Sequence, residues 1–215
     1  MMPVLYVNEI FHSIQGESTY AGFPCVFVRL SGCNLRCVLC DTSYAFHEGS
    51  PMSIEQVLSA AERFVCPLVE VTGGEPLLQP DAIPLMEQLL ERGYRVLLET
   101  GGSLPIDGVP AGVVRIVDIK CPGSGEVERN LWQNLARLAP EDELKFVIAD
   151  RADYAWASHQ VRQRALARGN TVLFSPVEGG CDPRDLARWV LEDGLPVRLQ
   201  VQLHKLIWPG VVRGV

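Results

Sequence analysis

Residues 31–44 read S-G-C-N-L-R-C-V-L-C-D-T-S-Y and follow the apolar run Val26 to Leu30 without a break. A continuous apolar run of that kind suits a parallel strand covered on both faces. The loop after it therefore sits at a strand's carboxyl end, where α/β folds place their chemistry. Its cysteines, Cys33, Cys37 and Cys40, have the spacing C-x3-C-x2-C. Three close thiols fall one short of a closed structural zinc site, and one short of an ordinary all-cysteine cluster. A [4Fe-4S] cluster held by three thiolates keeps one iron open to an outside ligand. Alternatively, His12 or His47 completes a Cys3His zinc site, or two of the thiols are inert core residues. Spacing alone favours the cluster without settling the choice.

Further strand-like runs lie near 68–72, 94–99, 113–119, 143–148, 171–175 and 197–203, after the first at 25–31. Helical signals separate them. Ser53 and Gln56 have capping-box spacing ahead of Ile54, Val57, Leu58 and Ala61. Asp81 opens a helix with Ile83, Met86, Leu89 and Leu90 inward, ended by Gly93. Leu131, Leu135 and Leu138 mark another stripe, the 152–168 stretch a weaker one, and Asp182-Pro183 opens a last helix. Alternating strands and helices predict an α/β fold with a parallel sheet. The expected architecture is an incomplete (βα) barrel of about six mostly parallel strands, in a single domain over 1–215.

Bulk properties narrow the function classes. Among 215 residues, 47% are hydrophobic and 21% charged, the balance of a globular chain. A dispersed net charge of -7 argues against nucleic acid as a partner. No apolar run approaches the roughly 20 residues that span a bilayer, and residues 1–9 do not read as a secretory signal. A cytoplasmic location without a membrane partner is expected. The seven cysteines are an odd number, so they cannot all pair internally. Cys25, Cys66 and Cys181 read as small apolar residues, and Cys121 lies at a strand end near the site. No motif assigns a role to His12, His47, His159 or His204.

Three other strand ends carry polar groups. Val69 to Pro76 reads V-E-V-T-G-G-E-P, and its two glycines let a backbone approach a ligand closely. Glu99 stands in L-L-E-T-G-G, and Asp118 and Lys120 in V-D-I-K-C-P. Each alone reads equally as a turn or a solvated loop charge. Joined to the cysteine loop, the pattern resembles the radical S-adenosylmethionine superfamily. The resemblance implies a reduced [4Fe-4S] cluster on Cys33, Cys37 and Cys40. That cluster splits S-adenosylmethionine into methionine and a 5′-deoxyadenosyl radical. It also implies cofactor contacts from Leu39, Cys40, Asp41, Gly74, Glu75, Glu99, Asp118, Ile119 and Lys120. Leu39 departs from the pattern, because the superfamily usually has an aromatic residue there.

Motifs along nearly the whole chain narrow the resemblance. Glu9 to Glu17 reads E-I-F-H-S-I-Q-G-E, and Phe27 to Cys33 reads F-V-R-L-S-G-C. Cys40-Asp41-Thr42, T-G-G-E-P, L-E-T-G-G and the stretch Gln202 to Trp208 follow. Together they are similar to the 7-carboxy-7-deazaguanine synthase family. That family contracts the ring of 6-carboxy-5,6,7,8-tetrahydropterin, a step toward queuosine and other deazapurines. The resemblance implies a pterin site lined by Ile14, Gln15, Gly16, Glu17, Arg29, Thr72 and Val215, with Arg29 suited to a carboxylate. It implies Mg2+ on Thr42, for which the competing reading is a helix N-cap. It further implies a flavodoxin or ferredoxin as electron donor, and a homodimer. Two other readings compete: a radical activase of a glycyl-radical enzyme, and a zinc-bound binding module.

Overall fold

The computed structural model describes residues 4–215. Strands form at Val4–Ile14 (β1), Pro24–Leu30 (β2), Ser50–Ser53 (β3), Leu68–Gly73 (β4), Arg95–Thr100 (β5), Val113–Ile119 (β6), Glu143–Ile148 (β7), Thr171–Pro176 (β8) and Arg198–Leu199 (β9). They make one nine-stranded sheet in the order β3-β1-β2-β4-β5-β6-β7-β8-β9. From β2 to β9 every neighbouring pair is parallel, while β1 pairs antiparallel with both β2 and β3. The sheet is open, with β3 and β9 at its edges.

The expected parallel core is therefore present as β2 and β4 to β8. The extra strands escape a search for apolar runs for a physical reason. In β1 the apolar stretch Val4 to Val7 stops after four residues at Asn8-Glu9, although in the fold Leu5 and Val7 are buried while Val4 and Tyr6 are exposed. The run at 197–203 pairs only over Arg198–Leu199, and the chain then turns into a short helix.

Helices form at Ile54–Ala61 (α1), Ala82–Glu91 (α2), Arg151–Gln163 (α3), Pro183–Asp193 (α4) and Leu203–Ile207 (α5). The capping box of α1 is complete. Ser53 Oγ accepts from the Gln56 N–H, and the Gln56 side chain accepts from the Ser53 N–H. In α2 the deeply buried residues are Ala82, Leu85, Met86 and Leu89, with Ile83 and Leu90 on the flank. Asp81 begins α2 but its carboxylate accepts from the Val4 N–H at 2.9 Å instead of capping. The leucine stripe at 131–138 does not make an α-helix. Residues Trp132–Arg137 form 3-10 turns in which only Asn134 is buried. Its amide bonds the loop after β5, donating to Gly102 O and Leu104 O and accepting from the Ile106 N–H. Among the described residues no helix forms between β5 and β6.

The sheet's two faces differ. On one, Val26, Val28, Val69, Val71, Val96 and Leu98 pack against α1 and α2 in one core cluster. Val117, Ile119, Leu144, Phe146 and Ile148 continue the apolar face toward α3 and α4. Each fully buried Val or Leu contributes about 1.5–3 kcal/mol. The alternate positions Phe27, Arg29, Glu70, Thr72, Glu99, Asp118 and Lys145 face a cavity instead. Period-two alternation thus puts these polar and charged side chains on one side, with Arg115 of β6 an exception that pairs with buried Asp142.

Candidate active site

The cavity has a volume of about 480 Å³ and opens at the carboxyl ends of β2 and β4 to β7. The cysteine loop walls one side and is fastened on three others. Toward β4, the Gly74 N–H donates to Leu30 O at 3.1 Å and the Glu75 N–H to Gly32 O at 2.8 Å. Asn34 Nδ2 donates to Ser103 Oγ at 3.0 Å beyond β5. Past β6, the Val38 N–H donates to Ser124 O at 2.9 Å and the Arg36 N–H to Glu126 Oε1 at 2.6 Å. Leu35, 2% exposed, plugs the loop's base. Cys33, Cys37 and Cys40 are partly exposed and all line the cavity. Burial pushes the Cys33 and Cys37 thiols up, so iron loading must displace protons.

The two-glycine loop packs directly on this wall. A Cβ at Gly74 would lie 2.1 Å from Gly32 O, so only glycine allows the approach. Glu75 is almost fully buried and ties β4 to β5. It accepts from the Leu77 N–H at 3.1 Å, Thr100 Oγ1 at 2.8 Å and the Gly101 N–H at 2.8 Å. Burial raises its pKa against these donors.

Arg29 stands opposite Glu9 in the β1–β2 ladder, and its Nε donates to Glu9 Oε1 at 2.8 Å. Phe11 and Tyr44 flank the guanidinium at 5.7 and 5.9 Å. Among the described residues its two terminal nitrogens bond no acceptor, so they remain for a ligand. Glu9 also receives the Tyr44 hydroxyl and the Gly214 N–H. Thr42 occupies the N-cap position of the 3-10 turn Ser43–Phe46, but its side chain makes no capping bond. The competing N-cap reading of its hydroxyl is thereby removed.

Of the residues singled out from sequence, Ile14, Gln15, Gly16, Glu17, Leu39, Asp41, Thr72, Gly74, Glu75, Glu99, Asp118, Lys120 and Val215 also line the cavity. Ile119 does not: its side chain lies in the helix-covered core. Gln15 faces the cavity with its amide already engaged, donating to Glu70 and accepting from the Glu17 N–H. Asp41 pairs with Lys205 at 3.0 Å, which straps the α5 segment to the cysteine loop.

The strand reading missed three groups. Lys145 in β7 has a side chain 5% exposed and pairs with Glu17, Glu99 and Asp118. Glu70 in β4 is buried, and burial, with Glu99 and Glu17 nearby, holds its carboxyl well above the usual range. His204 reaches the cavity wall against Gly16, and burial lowers its pKa. A charged residue inside an otherwise apolar strand run was the available signal for the first two.

The donor set fits a cluster and S-adenosylmethionine better than one zinc. Among the described residues no group of three or more His, Cys, Asp or Glu is placed to hold a single metal ion. Zinc draws its sulfur ligands to about 2.3 Å around one centre, whereas cluster thiolates bind different irons and stand wider apart. Backbone acceptors and Glu75 beside the cysteines suit an ammonium group. All seven cysteines are free thiols. Among the described residues no helix is long and apolar enough to cross a membrane.

Comparison with known proteins places these features. Residues 27–113 match the model of the radical SAM superfamily. A 7-carboxy-7-deazaguanine synthase from Koribacter versatilis is 48% identical over 226 residues, spanning 98% of this chain and 100% of the relative. One from Chlorobaculum tepidum is 49% identical over 214 residues, spanning 98% and 97%. The crystal structure of QueE from Escherichia coli superposes with a TM-score of 0.77 at 23% identity, covering 94% of this chain and 95% of that one.

Proposed function

The chain belongs to the 7-carboxy-7-deazaguanine synthase family of radical S-adenosylmethionine enzymes, and from that premise we propose which of its residues carry the reaction. It is a carbon–nitrogen lyase. Its reaction converts 6-carboxy-5,6,7,8-tetrahydropterin to 7-carboxy-7-deazaguanine and releases ammonia. The observation that carries the assignment of roles is convergence. Three cysteines, a two-glycine loop, a half-engaged arginine and an uncapped threonine open onto one cavity.

Cys33, Cys37 and Cys40 are the cluster ligands in this reading. When bound, the cluster and S-adenosylmethionine supply abstraction of a hydrogen atom from the substrate. Gly73 and Gly74 give the methionine amino group access to backbone acceptors, and Glu75 fixes that loop. Leu39 to Asp41, Asp118 and Lys120 flank the rest of the cofactor, Glu99 stands where cofactor and substrate meet, bonded to Thr72, and Ile119 contributes backbone only. Arg29 presents its free terminal nitrogens to the substrate carboxylate, with Glu9 fixing its plane. Ile14, Gly16, Glu17, Thr72 and Val215 surround the ring, while Gln15 holds the Glu17 backbone in place.

Thr42 supplies one oxygen to Mg2+, the remainder coming from substrate and water, as a small hard cation prefers. The ion and Arg29 together fix geometry and charge during contraction. A small electron carrier, flavodoxin or ferredoxin, reduces the cluster. The exposed Val38 and Leu39 between the ligand cysteines are consistent with its approach. Free thiols throughout suit the cytoplasm. The homodimer belongs to the same proposal, and sedimentation of the holoenzyme tests it.

Anaerobically reconstituted protein should hold iron and sulfide, and lose both in the Cys37→Ala variant. Given reductant, S-adenosylmethionine, Mg2+ and carboxytetrahydropterin, it should release ammonia and a deazapurine. Cleavage of S-adenosylmethionine without deazapurine would overturn the substrate assignment while leaving the superfamily chemistry.

A further inference from the structure

Lys145 is an anomaly in its strand. It stands in the run E-L-K-F-V-I, its side chain is 5% exposed, and it points at the cavity rather than the core. Three carboxylates from three other elements converge on its ammonium. Glu17 comes from the loop after β1 at 2.7 Å, Glu99 from the end of β5, and Asp118 from the end of β6 at 3.8 Å. Asp118 has a nearer partner in Lys120 at 3.0 Å, so Lys145 belongs chiefly to Glu17 and Glu99. Neither glutamate is left to swing. Gln202 Nε2 donates to Glu17 Oε1 at 2.7 Å, and Thr72 Oγ1 donates to Glu99 Oε2 at 3.3 Å.

A buried ammonium is costly unless paired, and a buried carboxylate pair repels itself. One lysine between two glutamates resolves both problems and leaves a pair of anionic acceptors in the cavity wall. Such a pair matches a planar ring edge carrying neighbouring N–H donors, the edge of a 2-aminopyrimidinone. Resting on the reading given above, we propose that Lys145 is a positioning residue. It holds Glu17 and Glu99 together as the acceptor pair for the amino and amide N–H groups of the pterin.

The surroundings support an ionised Glu17. Burial works to raise the Glu17 pKa, yet Lys145 and Gln202 bring it below the usual value. Lys145 itself is held well above its ordinary value by the three carboxylates, against burial. The other charged groups facing this cluster are Arg29 from β2, Glu70 from β4, Lys120 just after β6, and Asp41 and His204 at the cavity's rim. Burial, with Glu99 and Glu17 nearby, pushes the Glu70 carboxyl well above the usual range, which weakens it as a rival for the ammonium.

The test uses reconstituted holoenzyme and the variants Lys145→Met, Lys145→Arg and Glu17→Gln. Binding of the fluorescent pterin 6-carboxypterin and the substrate KM should both weaken roughly 10- to 100-fold in Lys145→Met at neutral pH. Affinity for S-adenosylmethionine should stay within twofold. Without the ammonium, the burial that Lys145 offsets is left to act on Glu17, which then takes a proton. Raising the pH removes that proton, so the loss in Lys145→Met should shrink as pH rises, while the wild type shows no such recovery. Lys145→Arg should restore part of the affinity, and Glu17→Gln should be non-additive with Lys145→Met. Glu17→Gln keeps the idea open to refutation if Lys145→Met unfolds, because it must itself raise KM. A pH-independent KM within twofold of wild type in Lys145→Met, or equal losses of pterin and S-adenosylmethionine binding, would overturn it. Wild-type protein that makes no deazapurine would sink the underlying reading instead.

Discussion

Gly74→Ala is expected to disable the site through one methyl group. The added Cβ would stand 2.1 Å from Gly32 O and 3.0 Å from Cys33 Cβ. Non-bonded heavy atoms settle near about 3.5 Å, so the two backbones must part by more than about 1 Å. That movement breaks the 2.8 Å bond from the Glu75 N–H to Gly32 O, which joins the two-glycine loop to the cysteine loop. Neither wall yields easily, since Leu35 is buried beneath one and Glu75 is held by Thr100 and Gly101 beneath the other. Overpacking of this kind costs about 1–3 kcal/mol of stability. A shift of about 1 Å between reacting groups costs roughly 10²-fold in rate. The assays are iron content after reconstitution, equilibrium binding of S-adenosylmethionine, and turnover. Gly169→Ala serves as the control, because a Cβ there meets nothing within 4 Å. Cofactor affinity and kcat/KM within twofold of wild type in Gly74→Ala would refute the claim that these two backbones form the cofactor's seat.

Thr42→Val keeps shape and removes the hydroxyl, so the Mg2+ concentration for half-maximal turnover should rise about tenfold or more, with iron content unchanged. An identical Mg2+ titration would remove Thr42 from the metal site. Asp142 is 0% exposed and accepts from the Arg115 N–H at 2.8 Å and the Ala139 N–H at 2.7 Å, with Arg115 Nε at 3.0 Å. Removing it in Asp142→Ala strands a buried guanidinium, and urea unfolding should show a loss of about 3–5 kcal/mol. The buried Glu70 has its pKa raised in the fold, so the folded chain holds a proton that the unfolded chain releases above about pH 4.3. Wild-type stability should therefore fall as pH rises above that value, levelling once the folded pKa is passed. Glu70→Gln lacks this slope, and its stability advantage should grow between pH 5 and pH 8; parallel curves would contradict a protonated Glu70.

What sequence could and could not reveal has physical causes. The parallel core and the cysteine loop were legible because buried parallel strands are apolar on both sides along most of their length. In β1 the polar residues Asn8, Glu9, His12 and Ser13 break up the apolar ones after Val7, and β3 is short, so neither leaves that signature. The leucines at 131, 135 and 138 have helical spacing, but Asn134 between them is committed to three loop contacts, and those tertiary bonds decide the local conformation. The site's motifs could be named because they recur together in a known family. The Lys145 cluster was invisible because its partners at 17, 99 and 118 lie far apart in the chain. Their meeting depends on strand order and on the period-two alternation that turns them to one face. Ile119 shows the same rule from the other side: it sits between Asp118 and Lys120, and alternation sends it into the core.

Cluster, cofactor and pterin should meet in the cavity behind Cys33, Cys37 and Cys40. Turnover of carboxytetrahydropterin carrying deuterium at C6, the expected site of hydrogen abstraction, tests this by mass spectrometry of the adenosyl group, recovered both as 5′-deoxyadenosine and as S-adenosylmethionine. Deuterium should pass into the adenosyl group as deazapurine accumulates. Deazapurine formed while the adenosyl group stays unlabelled in both forms would contradict this placement.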